Sequence, residues 1–287
     1  MSQRAVGDSK ARRRLLTALT AIVAVGLVGV IGVWIMDNPP VDEVAVQTPA
    51  SADLEAVAQQ RVYFGHQSVG WNIIDGLTAA AQATGTDLTI VETATDASDR
   101  DAYVAHSAVG VNGDPYGKLD EFERVVEGPL GQRLDAAVLK FCYIDVVAGT
   151  NTASLFAAYT ERIEALERAH PDITFFYTTV PLTTDRSWRA NVKAFFGADD
   201  LAGPADNIAR EAYNELIRER YGDTGRLIDI AAVQATLAEA PTERTESGST
   251  YYVLNRALAS DNGHLNAAGA QAAAAEFVRV IAAGTKP

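Results

Sequence analysis

From Arg61 onward the chain alternates short apolar runs with longer amphipathic ones, and few folds satisfy that alternation. Strands are expected at 62–64, 88–92, 136–144, 173–180 and 226–230. The run AAVLKFCYI at 136–144 is nearly continuous in apolar residues, as a parallel strand covered on both faces should be. Helical spacing of Val69, Ile73, Ile74 and Leu77 predicts a helix over 69–83, stopped by Gly85. Further helices are expected over 154–169, around Ile208 to Ile217, and over the Ala-rich 266–281. Strands alternating with helices of this length imply βαβ units. The expected fold is one doubly wound, flavodoxin-like α/β domain over 59–287, a parallel five-stranded sheet with helices on both faces.

The N-terminal part reads differently. Residues 1–14 hold Arg4, Lys10, Arg12, Arg13 and Arg14 against Asp8 alone, and residues 15–36 follow as 22 residues without a charge. As a helix that run spans about 30 Å, the thickness of a bilayer's hydrocarbon core. Its basic head and acidic far side place the N-terminus in the cytoplasm and the rest across the membrane. The competing reading is a cleaved signal peptide, whose apolar region is shorter and whose cleavage site lies close behind it; the only tempting site here, Ala50-Ser51-Ala52, is far downstream. Residues 37–58, with three prolines, read as a linker. A net charge of -13 argues against nucleic acid as a partner. A single cysteine, Cys142, excludes an internal disulfide and a Cys-rich metal site.

In open parallel sheets, ligands bind outside the carboxyl ends of the strands. The first strand ends in GHQSVG, and a helix starts there. Ser68 at that junction has two readings: a helix cap, or a nucleophile beside free backbone N–H groups that favour an anion. The spacing is not the G-x-S-x-G of an α/β-hydrolase elbow, nor that of a phosphate-binding loop. Before the last helix stands DNGHLN, where Asp261 can hold one nitrogen of His264 and leave the other to act as base.

A serine after the first strand together with D-x-x-H before the last helix resembles the SGNH (GDSL-type) hydrolases, over about residues 59–283. The resemblance implies an esterase with Ser68, His264 and Asp261 as its catalytic residues and no cofactor. It also implies an oxyanion N–H from a glycine in the second block, Gly110 or Gly113 within HSAVGVNGDPYGKLDEF. The third block, G-x-N-D, aligns with Cys142-Tyr143-Ile144-Asp145. The chain departs from the pattern twice. The first block reads GHQS, akin to the GQS form of carbohydrate acetylesterases. Ile144 stands where an oxyanion Asn belongs, and one such donor is worth roughly 3 kcal/mol of transition-state stabilisation. Asn112 in the neighbouring loop is the candidate replacement; the alternative is a site that has lost its activity.

His66, two residues before Ser68, is expected to line the pocket, and Asp145 to order the site loop or bond a backbone amide. His66, His106 and His264 lack the close pairing of zinc ligands, so no metal is expected. Cys142 reads as a small buried hydrophobe. Trp71, Trp188, Arg186 and Arg189 are candidates for contacting sugar rings or anions, with surface packing as the plainer reading. The stretch 240–250 reads as a mobile loop. The functional expectation is a membrane-anchored extracytoplasmic serine esterase acting on an acylated glycan or small ester. Its alternatives are a glycan-binding module with a degraded site and a polysaccharide O-acyltransferase.

Overall fold

The computed structural model describes residues 45–187, 191–192, 195–197, 201–236 and 242–285. The apolar run 15–36 lies outside them, and among the described residues no helix is long and apolar enough to cross a membrane. Trp188 and Arg189 also lie outside the described residues.

Six parallel strands form the sheet, against the five expected. They are β1 (Arg61–His66), β2 (Ile90–Glu92), β3 (Tyr103–Ala108), β4 (Ala136–Leu139), β5 (Thr174–Thr178) and β6 (Leu227–Ile228), in the order β2-β3-β1-β4-β5-β6. Setting aside the short edge strand β2, the remaining order is the flavodoxin-like one. The strand missed in the sequence is β3, YVAHSA, whose apolar run is broken by a histidine and a serine that are themselves buried. The expected strand over 136–144 ends early, at Leu139. Beyond it the Asp145 carboxylate accepts from the Cys142 N–H at 2.6 Å and turns the backbone into a 3-10 helix, Tyr143–Asp145.

The period-2 alternation of the strands divides the core into two layers. Val62, Phe64, Val104, Val138, Phe176 and Ile228 face helices α1 (Ser51–Val57), α2 (Val69–Thr84) and α7 (Ala267–Gly284). Tyr63, Ala105, Ala137, Leu139, Phe175 and Tyr177 face α3 (Pro115–Val126), α4 (Thr152–Ala169) and α5 (Pro204–Tyr221). α1 falls within the stretch read as linker; its Leu54 and Val57 are wholly buried in the first layer. α3 is a helix the sequence reading lacked, although Asp114 capping the Gly117 N–H at 2.9 Å with Pro115 at the first position is a recognised start signal. After α6 (Ile230–Ala235), part of the expected mobile loop is an antiparallel hairpin, β7 (Glu243–Glu246) with β8 (Ser249–Tyr252). Ser247 and Gly248 at its turn both have positive φ, the conformation that a two-residue hairpin turn requires.

One contact fixes the site from a distance. α2 starts directly after Ser68 and α7 starts three residues after His264. The two helices touch backbone to backbone at Gly76, where an added Cβ would lie 2.3 Å from the Ala270 carbonyl oxygen. In an ordinary helix interior, Gly→Ala stabilises by roughly 0.5–1 kcal/mol. Here the sign should reverse. Gly76→Ala is expected to cost about 1–3 kcal/mol through overpacking, read as a lower urea midpoint with an unchanged denaturant slope. A midpoint at or above that of the wild type would show that the helices have room to spare.

Candidate active site

Ser68 does not cap its helix: its side chain makes no cap hydrogen bond. Its backbone sits at φ 51°, ψ -113°, a region that L-residues other than glycine avoid. The strained turn presents the hydroxyl to His264 instead, with Oγ 2.7 Å from Nε2. On the far side of the ring, Nδ1 lies 2.8 Å from Asp261 Oδ2 and 3.0 Å from Oδ1. Burial pushes the Asp261 carboxyl upward. The N–H groups of Gly263 and His264, each 2.8 Å from Oδ1, and the imidazole together outweigh that and hold it below its ordinary value. A carboxylate can only accept, so Nδ1 carries the proton and Nε2 is left to accept from the serine.

The loop that carries Asp261 and His264 is tied down on several sides. Asn72 on α2 accepts from the Leu265 N–H at 3.1 Å, and Asn266 caps α7 through the Gly269 N–H at 3.0 Å. The Thr184 N–H donates to the Asn262 carbonyl at 2.8 Å. Tyr143 packs edge-on to the His264 ring at 6.0 Å, and Gly263 leaves no room for a Cβ against it. Behind Tyr143, the fully buried Arg210 donates to the carbonyls of Tyr143 and Leu201 and to Thr183 and Asn207. Burial lowers its pKa to about 10, which leaves it charged at neutral pH.

The second-block loop lies beside the nucleophile turn. Gln67 Nε2 donates to the Gly110 carbonyl at 2.8 Å, and the Val109 N–H donates to the His66 carbonyl at 3.1 Å. Of the two glycines considered as oxyanion donors, Gly113 is excluded by its partner: its N–H is spent on Asp145 Oδ1 at 2.8 Å. The N–H groups of Gly110 and Ser68 have no acceptor among the described residues, so two backbone donors at this loop and turn are unspent. Asp145 serves both tasks considered for it, since its other oxygen takes the Cys142 N–H and the Lys118 ammonium. Asn112 is exposed, with its carboxamide oxygen 2.9 Å from Lys118 Nζ. Cys142 is buried.

His66 does not line the pocket. It is wholly buried beneath the turn, stacked on His106 with its Nε2 3.1 Å from that ring's Nδ1, and Trp71 lies edge-on to both rings. Burial, helped by the nearby Lys140 ammonium, pulls its pKa down to about 2, so it stays neutral. The reason is steric: Gly70 leaves no space for a Cβ against the ring, so helix and histidine close over one another. Among the described residues, no group of three or more His, Cys, Asp and Glu side chains could hold a metal ion. Lys118, Asn72, Gln67 and Arg210 are the supporting residues that the sequence left unmarked. Only Gln67, next to the nucleophile, carried a local hint.

No family model and no curated protein matches the chain. Solved structures similar to it include a protein assigned provisionally as a platelet activating factor from Streptococcus pneumonia. It is 12% identical over 96% of this chain and 98% of its own, with a TM-score of 0.45. Another is the periplasmic domain of a lipopolysaccharide acetyltransferase from Salmonella ser. Paratyphi A, 15% identical over 75% of this chain and 80% of its own, with a TM-score of 0.41.

Lys140, one residue past β4, is fully buried and its ammonium has no partner among the described residues. Burial lowers its pKa to about 8, with Lys118 acting in the same direction and Cys142 and Asp145 opposing. Because the folded value lies below the unfolded one of 10.5, the folded state carries a penalty below pH 8 that fades as the pH rises toward 10.5. Lys140→Met is therefore expected to stabilise the fold at pH 7 by on the order of 3 kcal/mol. The gain should shrink between pH 8 and 10.5 in urea titrations. A gain independent of pH would mean that packing, not charge, is its source.

Proposed function

We propose that the chain is a serine esterase of the SGNH type that removes an O-acyl group from a glycan or small ester. The observation that carries the reading is the unbroken contact from Ser68 Oγ through His264 to the Asp261 carboxylate, beside two unspent backbone N–H groups. In this mechanism His264 Nε2 takes the Ser68 proton as Oγ attacks the acyl carbon. The Ser68 and Gly110 N–H groups receive the oxyanion, and Asp261 stabilises the imidazolium. The imidazolium then protonates the departing alcohol. A water activated by the same ring next releases the acid from the acyl-enzyme. The His264 and Asp261 side chains are 38% and 59% exposed, which favours hydrolysis over transfer, because water reaches the base directly.

Purified protein should be labelled by a fluorophosphonate on Ser68 and should hydrolyse p-nitrophenyl acetate. Ser68→Ala and His264→Ala should each lower kcat by ~10⁴-fold or more, and Asp261→Ala by less, since that carboxylate orients and stabilises without reacting. A purified Ser68→Ala protein that still turns over ester at the wild-type rate would remove the assignment. A wild type that neither labels nor hydrolyses any ester would leave the fold to a glycan-binding role.

The reading also places the domain outside the cytoplasm, held by residues 15–36 in the bilayer, which the basic head and uncharged run of the sequence support. Protease added to intact cells should then digest the domain, and the mature N-terminus should precede residue 15. Full protection, or a mature N-terminus near Asp53, would count against the anchor.

A further inference from the structure

The Lys118 and Asp145 side chains are both wholly buried, and Nζ lies 2.5 Å from Oδ2. A pair so placed costs desolvation and adds little net stability, so its use has to be sought in what it holds. The ammonium has a second acceptor, the carboxamide oxygen of Asn112 at 2.9 Å. The carboxylate has two further donors, the N–H groups of Gly113 and Cys142. Gln67 and the His66 carbonyl grip the near end of the same loop at Gly110 and Val109. The stretch from Val109 to Gly113 is thus clamped at both ends beside the turn that carries Ser68.

An exposed asparagine ordinarily flips about its last torsion, since its two ends are nearly equal in size. Asn112 cannot, because a flip would set its NH2 group against the Lys118 ammonium, donor to donor. With its oxygen anchored, only the NH2 group is left to offer, and that group has no acceptor among the described residues. We propose that Lys118, held by Asp145, is a positioning residue that keeps the Asn112 NH2 group turned toward the oxyanion beside Ser68, the donor that Ile144 cannot supply. Lys118 itself touches no reacting atom. The proposal rests on the esterase reading above.

The test is p-nitrophenyl acetate kinetics on the full chain, with fluorophosphonate labelling and thermal melting of every variant. Asn112→Asp keeps the shape and the pairing to Lys118 but replaces the NH2 group by oxygen. It should lower kcat by ~10²-fold with little change in KM, the mark of a contact made only in the transition state. Lys118→Met combined with Asp145→Asn removes both charges together. Folded by its melting curve, it should lose a comparable share of kcat, and adding Asn112→Ala to it should cost no more. Lys118→Gln in the same Asp145→Asn background can still donate to the Asn112 oxygen and should recover part of the rate. Wild-type kcat in Asn112→Asp, equal rates in the Met and Gln variants, or fully additive losses would each overturn the proposal. If the wild type fails to label at Ser68, the esterase reading itself fails. If it labels and only the Lys118 variants behave like the wild type, this inference alone falls.

Discussion

The backbone contact between α2 and α7 holds the two halves of the candidate site together. Ser68 and His264 belong to segments almost two hundred residues apart, yet each is fixed within a few residues of a helix N-terminus. Where those two helices cross at Gly76 and Ala270, backbone meets backbone, with the Ala274 methyl alongside. The spacing between them is therefore governed by hard backbone atoms and not by side chains that can repack. Asn72 completes the link by reaching from α2 to the first residue after His264. An Oγ–Nε2 distance suited to proton transfer follows from the crossing.

Around this frame the fold spends its buried polar groups on loops. Arg210 gathers the Tyr143 turn, Thr183 and Leu201 into one knot, and Thr184 passes that order on to the base-bearing loop through Asn262. Asp145 does the same for the loop on the other side of the serine. Each centre satisfies backbone groups that irregular loops would otherwise leave unpaired near the core. Lys140 differs, a buried cation whose ammonium has no partner among the described residues.

Periodicity made the βαβ scaffold legible, because Val62, Phe64, Val138 and Leu139 on their strands and Ile73 and Leu77 on α2 carry their burial in their spacing. The closing helix followed from the same pattern, whereas the order of the strands did not, because the strand that pairs with β1 at that edge is the unrecognised β3. β3 escaped notice because burial there extends to His106 and Ser107, whose polarity masks the run until their partners, His66 and Tyr63, are in place. Ser68, Asp261 and His264 could be picked out because their residue types and local order are unusual together. Lys118 could not. A lysine on an amphipathic helix ordinarily marks the solvent face, and only the approach of Asp145, 27 positions away, makes its burial tolerable. His66 misled for the converse reason: adjacency to the nucleophile along the chain says nothing about which side of the sheet edge a ring occupies.

The positive φ at Ser68 carries a mechanical implication. A glycine there would relax the backbone, a gain of about 1–3 kcal/mol for a position held in a sparsely populated region. With serine in that place, the same backbone turns the hydroxyl out of the helix cap and into the reach of an imidazole. The discomfort of that one residue is the counterpart of the 2.7 Å contact between its hydroxyl and the ring.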